Sequence, residues 1–167
     1  MQQYKTRKVV LKRFYLPDCL YFITAVTENR LPVFKDRKNI NILLTVFSKY
    51  RQLYKFKIIA FCILPDHFHC LIIPSSTANI SKIIKAIKGY SSRLINKRNL
   101  HHCKIWQHQF LDHIIRKDED YKNHINYIHN NPLKHKLVTE PADYIWSSYN
   151  CYYNNLASVF KIDALPF

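Results

Sequence analysis

His67-Phe68-His69 is the sharpest chemical feature of the chain. On a strand, residues i and i+2 share a face, so both imidazoles project together while Phe68 and Cys70 point the other way. Two neutral imidazoles side by side make half of a divalent metal site. With nine histidines in the chain, a bare pair of this kind is more often a surface or satisfied one. Its place directly after Pro65-Asp66, within apolar strand, favours the metal reading, because polar groups on a buried strand need partners. Asp66 stands where it could orient a ligand from behind, although a turn residue needs no function.

A second stripe lies further on. Asp120, His124, Tyr127 and Asn131 share one side of a helical pattern, next to an apolar stripe of Tyr121, Ile125 and Ile128. Tyr127 and Asn131 are four apart, so their side chains can meet. A phenol beside a ligating amide is a nucleophile beside a metal. In a chain with twelve tyrosines, however, a Tyr at the edge of an apolar face is ordinarily packing. The third feature is basic. Lys82, Lys85 and Arg93 line the polar side of a helical segment, and Lys12 and Arg13 lie in a basic N-terminal arm, residues 1–15. One basic helix face is usually only solvated. Here 26 Lys and Arg stand against 11 Asp and Glu, and the net charge of +15 favours a polyanionic partner. Cys103, His108 and His113 follow no recognised zinc spacing.

These residues need a scaffold. A chain of 167 residues with 48% apolar content holds a single domain, 1–167, with its own core. Gly89 is the only glycine, which excludes the P-loop and the G-x-G-x-x-G fingerprint. The five cysteines form no C-x-x-C pair, the first residues are polar, and no run of 18 apolar residues occurs. Reduced thiols in a cytoplasm are expected, with no membrane partner. Basic residues mixed with 14% aromatics suit single-stranded nucleic acid, whose bases stack while its phosphates are neutralised.

Residues 21–27 read as a strand, 39–54 as an amphipathic helix, 56–64 as a strand buried on both faces, and 67–74 as its hairpin partner. A second helix covers 79–98, a strand 110–116, and a third helix opens at Asp118-Glu119-Asp120 and is expected to end near Asn131, before Pro132. Strand, helix, strand, strand, helix, strand is the order of an α+β, ferredoxin-like antiparallel sheet. The third helix is surplus and must pack on the other sheet face or at an edge. Residues 139–167 form a C-terminal extension.

The ordered set of motifs resembles a known family. Leu64-Pro65-Asp66-His67-Phe68-His69 is similar to the histidine–hydrophobe–histidine strand of the HUH single-tyrosine nucleases. Ile105-Trp106-Gln107, Asp112-His113, Tyr127-Ile128-His129-Asn130-Asn131-Pro132 and Trp146-Ser147-Ser148-Tyr149 resemble the REP-associated tyrosine transposases, over roughly residues 10–150. The resemblance implies a single-stranded DNA transposase or nuclease that cuts near a hairpin by transesterification. It leaves a 5′-phosphotyrosine and a free 3′-hydroxyl. It implies Tyr127 as nucleophile, His67, His69 and Asn131 as metal ligands, and the third helix as carrier of the tyrosine. Asp66 and His124 stand behind them. The sequence departs from the family at Lys136, where relatives carry Gly in a turn, and at Asn131, a shorter arm than Gln.

The chemistry is consistent. A free phenol titrates near pH 10 and a phosphodiester is anionic, so a divalent ion that polarises the phosphorus answers a real need. Mg2+ or Mn2+ is expected, with Mn2+ favoured by imidazole ligands. A single-stranded DNA hairpin is the expected partner and a monomer the expected state, with a dimer left open. The competing reading is a non-catalytic hairpin DNA- or RNA-binding protein, a domesticated regulator.

Overall fold

A computed structural model of the chain describes residues 15, 16 and 18–165. Lys12 and Arg13 therefore lie outside the described residues. The elements run β1 (Tyr21–Val26), α1 (Arg37–Tyr54), β2 (Lys57–Leu64), β3 (His67–Ile73), α2 (Ile80–Asn99), β4 (Leu111–Ile114), α3 (Asp118–Lys134) and α4 (Tyr149–Tyr153). The sheet order is β2-β3-β1-β4, and every neighbouring pair is antiparallel. This is the ferredoxin-like arrangement that the element order predicts. No helix among the described residues is long and apolar enough to cross a membrane.

Local chemistry sets the helix ends. The Asp36 carboxylate caps α1 by accepting from the Lys38 N–H at 2.9 Å, and Asn79 caps α2 by accepting from Lys82 at 2.9 Å. No side chain caps α3; Asp118, Glu119 and Asp120 instead set negative charge against its N-terminal dipole. The expected end of α3 at Asn131 is corrected. Pro132 lies inside the helix, which continues to Lys134. So close to the C-terminus, proline removes one N–H bond and the following turn still closes, with His135 N–H donating to Asn131 O at 3.0 Å. The expected strand at 110–116 is trimmed to four residues.

The two sheet faces are covered differently. Ile23 and Ala25 of β1 and Phe68, Cys70 and Ile72 of β3 face α1 and α2 across the larger core. Phe68 meets Phe47 at 5.2 Å and Trp106 at 5.4 Å, both edge-to-face. On the other face, Ile125 and Ile128 of α3 pack on Ala60, Cys62, Leu64 and Leu71. The surplus helix therefore covers the second face, over β2 and β3. Beside it, Phe22, Thr24 and Val26 of β1 and Leu111 of β4 floor an open cleft. The segment after α3 returns along the outer edge of β2, where Ile63 N–H donates to Trp146 O at 2.9 Å and Ser148 N–H to Phe61 O at 3.0 Å.

Candidate active site

Strand alternation puts His67 and His69 on the α3 side of the sheet, opposite Val26 and Thr24 of β1. Their rings meet edge-to-face with centroids 4.8 Å apart. Both are buried, and each is held through Nδ1. His67 Nδ1–H donates to Asp66 Oδ1 at 2.5 Å, and His69 Nδ1 shares a hydrogen bond of 2.8 Å with the Thr24 hydroxyl. With its proton on Nδ1, His67 keeps the Nε2 lone pair for a ligand. Asp66 also accepts from Arg30 Nη1 at 2.9 Å, so one carboxylate ties a cleft-lining guanidinium to the first histidine. Burial, together with the neighbouring His67 and His135, pushes His69 down to about 3. Burial outweighs Asp66 and lowers His67 as well. Both imidazoles are thus neutral at pH 7, the form in which they ligate metal.

The helix α3 brings its polar stripe over this pair. Tyr127 is 42% exposed on the cleft, its ring edge-to-face with His69 at 5.2 Å. The Lys134 ammonium lies 5.5 Å from the centre of the Tyr127 ring. Asn131 sits one turn after Tyr127 and is buried; its Nδ2 reaches Tyr127 O only at 3.4 Å. Its Oδ1 has no partner, and neither does His69 Nε2. An orphaned buried polar atom costs about 1–3 kcal/mol, so these two atoms await a ligand. Two imidazole nitrogens and an amide oxygen are a donor set that fits a divalent cation.

The cleft has a volume of about 630 Å³ and opens to solvent. Arg30, Lys134 and His135 bring positive charge or hydrogen-bond donors to its walls. His124 also lines it, packed on Phe22 with centroids 4.5 Å apart. The groove thus combines a cationic rim, an exposed phenol and aromatic rings.

The structure does not bring every predicted residue here. Lys82, Lys85 and Arg93 belong to α2, on the opposite sheet face from the cleft. There Lys82 lies over the Tyr54 ring at 5.0 Å and Arg93 over Tyr90 at 4.8 Å. Sequence reasoning missed His135, whose ring stands 5.3 Å from His67. The signal existed, since Tyr127, Asn131 and His135 repeat every four residues. It also missed Arg30, Lys134 and the floor residues Phe22 and Thr24, which only the β1–β3 register reveals.

Known proteins place this arrangement. The family model described as transposase IS200 like matches residues 15–131. A Haemophilus influenzae protein assigned to the REP-associated tyrosine transposases is 32% identical over 149 residues, covering 83% of this chain and 84% of that protein. The REP-associated tyrosine transposase of Escherichia coli is 29% identical over 140 residues, covering 83% and 81%. A solved REP-associated tyrosine transposase bound to a REP hairpin shares the fold. Its TM-score is 0.74 at 24% identity, and the match covers 95% of this chain and 94% of that one.

Proposed function

The chain belongs to the IS200-like transposase family, as a single-tyrosine HUH enzyme, and from that premise we propose that it cuts and rejoins single-stranded DNA beside a hairpin through Tyr127. The observation that carries this reading is the exposed Tyr127 ring against His69, over a buried Nε2 and a buried Asn131 Oδ1 that lack partners. The relatives point to a REP-type hairpin as the DNA.

In the proposed step the Tyr127 oxygen attacks phosphorus as the bond to the 3′-oxygen breaks. The phenol proton leaves to solvent and the departing 3′-oxygen takes one up. The products are a 5′-phosphotyrosine and a free 3′-hydroxyl, and the phosphodiester energy is retained for rejoining. His67, His69 and Asn131 would hold a divalent ion, Mg2+ or Mn2+, which when bound draws charge from a non-bridging phosphate oxygen. Asp66 fixes the His67 ring, and Thr24 fixes that of His69. Lys134 and Arg30 both line the cleft, where their positive charge would stabilise the crowded phosphate.

The test uses labelled hairpin oligonucleotides from the DNA flanking the gene, with Mn2+, on a denaturing gel. A protein–DNA adduct that survives SDS and vanishes in Tyr127→Phe and in EDTA is the expected result. An adduct that persists in Tyr127→Phe refutes the nucleophile. Tight binding with no adduct makes the protein a hairpin-binding regulator instead.

A further inference from the structure

His113 of β4 pairs with Phe22 of β1 and so faces the same side of the sheet as the cleft histidines. Asp120 and His124 lie one turn apart on α3 and approach it from above. His113 Nε2 is 2.8 Å from Asp120 Oδ2, and His124 Nδ1 is 2.9 Å from Asp120 Oδ1. The two imidazoles stack with centroids 5.0 Å apart and planes inclined by 15°. Their two nitrogens and the carboxylate oxygen all fall within 4.8 Å of one another. Among the described residues, no other group of three His, Cys, Asp or Glu side chains is so gathered.

We propose that His113, Asp120 and His124 form a second divalent-metal site, separate from the cleft histidines and suited to Zn2+, that pins the start of α3 to β4. Two imidazoles and one carboxylate with solvent on the open side are a donor set that selects Zn2+ over Mg2+. Bond lengths near 2.0–2.2 Å in tetrahedral geometry separate neighbouring ligand atoms by about 3.3 Å. To admit the ion, the two hydrogen-bonded nitrogen–oxygen distances must open by a few tenths of an ångström, and the ligand atoms that now stand up to 4.8 Å apart must draw together.

Protons balance without an outside partner. Each neutral imidazole carries one proton, now on the nitrogen that faces Asp120. On metal binding it moves to the other ring nitrogen and stays there, where water can accept a hydrogen bond from it, since the two side chains are 52% and 22% exposed. His124 also gives up its bond to the Asp120 carbonyl, 2.8 Å long. Asp118, Glu119 and Asp120 bring negative charge to the start of α3 in a strongly basic chain, partly offset by Arg116, Lys117 and Lys122.

The consequence reaches the tyrosine. His124 is three residues before Tyr127, and Phe22 touches His124, His69 and Tyr127. An ion at His124 would therefore fix the helix register of the phenol from the β4 side of the cleft.

The experiment is equilibrium dialysis of the full-length protein against Zn2+, followed by metal quantification. Wild type is expected to retain one equivalent more than the His113→Ala/His124→Ala variant. The His67→Ala/His69→Ala variant is expected to keep that equivalent and to melt several degrees higher with Zn2+ than without. The variant lacking His113 and His124 should lose that Zn2+-dependent rise, and circular dichroism checks that it is folded. Zinc held elsewhere on the surface is common to all variants and subtracts. Equal zinc retention by wild type and His113→Ala/His124→Ala overturns the proposal. Equal retention by wild type and His67→Ala/His69→Ala strikes the cleft ligands instead, and leaves this site standing.

Discussion

At the scale of the residue, the buried histidines of α3 and β3 differ in what faces them. His69 Nε2 has no partner and lies beside an exposed phenol on the cleft, whereas His129, whose Nδ1 also lacks a partner, is enclosed by Tyr149, Tyr152 and Tyr153. His129 Nε2–H donates to Ser148 Oγ at 2.8 Å, and Ser148 Oγ accepts the Phe61 N–H at 3.0 Å. It is a structural clasp between α3, β2 and the C-terminal segment. Burial pushes it down to about 4. The folded state therefore refuses a proton that the unfolded chain accepts at about pH 6.5. Stability from this group is complete above pH 6.5, falls as pH drops and is gone below about 4, a span worth roughly 3 kcal/mol. His129→Phe keeps a ring and removes the titration. Urea midpoints should show the gap between wild type and variant narrowing by roughly that amount from pH 7 to pH 4. A gap that is constant with pH would place the proton elsewhere.

At the scale of the element, the chain uses its single glycine where helices least need one. Gly89 is exposed in the middle of α2, and a methyl group there would meet nothing within 4 Å. Meanwhile all three long helices close through a non-glycine residue at positive φ: Lys55 at 55°, Leu100 at 53° and Lys136 at 54°. After α3 the bonds from Leu137 N–H to Pro132 O and from Lys136 N–H to Leu133 O, both 2.9 Å, define a Schellman turn. The turn expected from a family glycine is thus kept by Lys136 under strain, not remodelled. Left-handed geometry costs an L-residue about 1–2 kcal/mol, part of which a glycine's extra chain entropy offsets. Lys136→Gly should stabilise by about 0.5–1 kcal/mol, and Gly89→Ala by a similar amount through helix propensity. Thermal melts of the two single variants and the pair check this; the gains should add, since the sites share no partner. A melting point lowered by Lys136→Gly would mean that the lysine side chain, not its backbone, secures the turn.

At the scale of the whole molecule, what was legible in the sequence was what is local. The period of two joined His67 to His69, the period of 3.6 joined Tyr127 to Asn131, and the apolar spacing drew the elements and their order. His135 was not legible because proline ordinarily stops a helix, whereas α3 runs nearly one more turn past Asn131 and carries His135 to the cleft. The basic side of α2 was visible, but an amphipathic pattern says which side is wet, not which face of the sheet the helix covers. The C-terminal segment was the least legible, because its role is to pair with a strand far away in the chain. It covers the outer edge of β2 with three main-chain bonds, from Ile63 to Trp146, from Ser148 to Phe61 and from Asp163 to Ile58. Tyr144 and Tyr152 add hydroxyl bonds to Ile63 O at 2.7 Å and Ile59 O at 2.9 Å. Beneath lies Lys57–Leu64, buried at seven of its eight residues, a strand that uncovered would be a template for edge pairing. The full chain should therefore run as a monomer, with tyrosine and histidines supplied by one molecule. A chain ended after Val138 keeps every cleft residue yet should self-associate, seen as a mass that rises with concentration in light scattering. A truncated chain that stays monomeric with an unchanged melting point would show that the edge needs no cover, and the reason for expecting a monomer would fall with it.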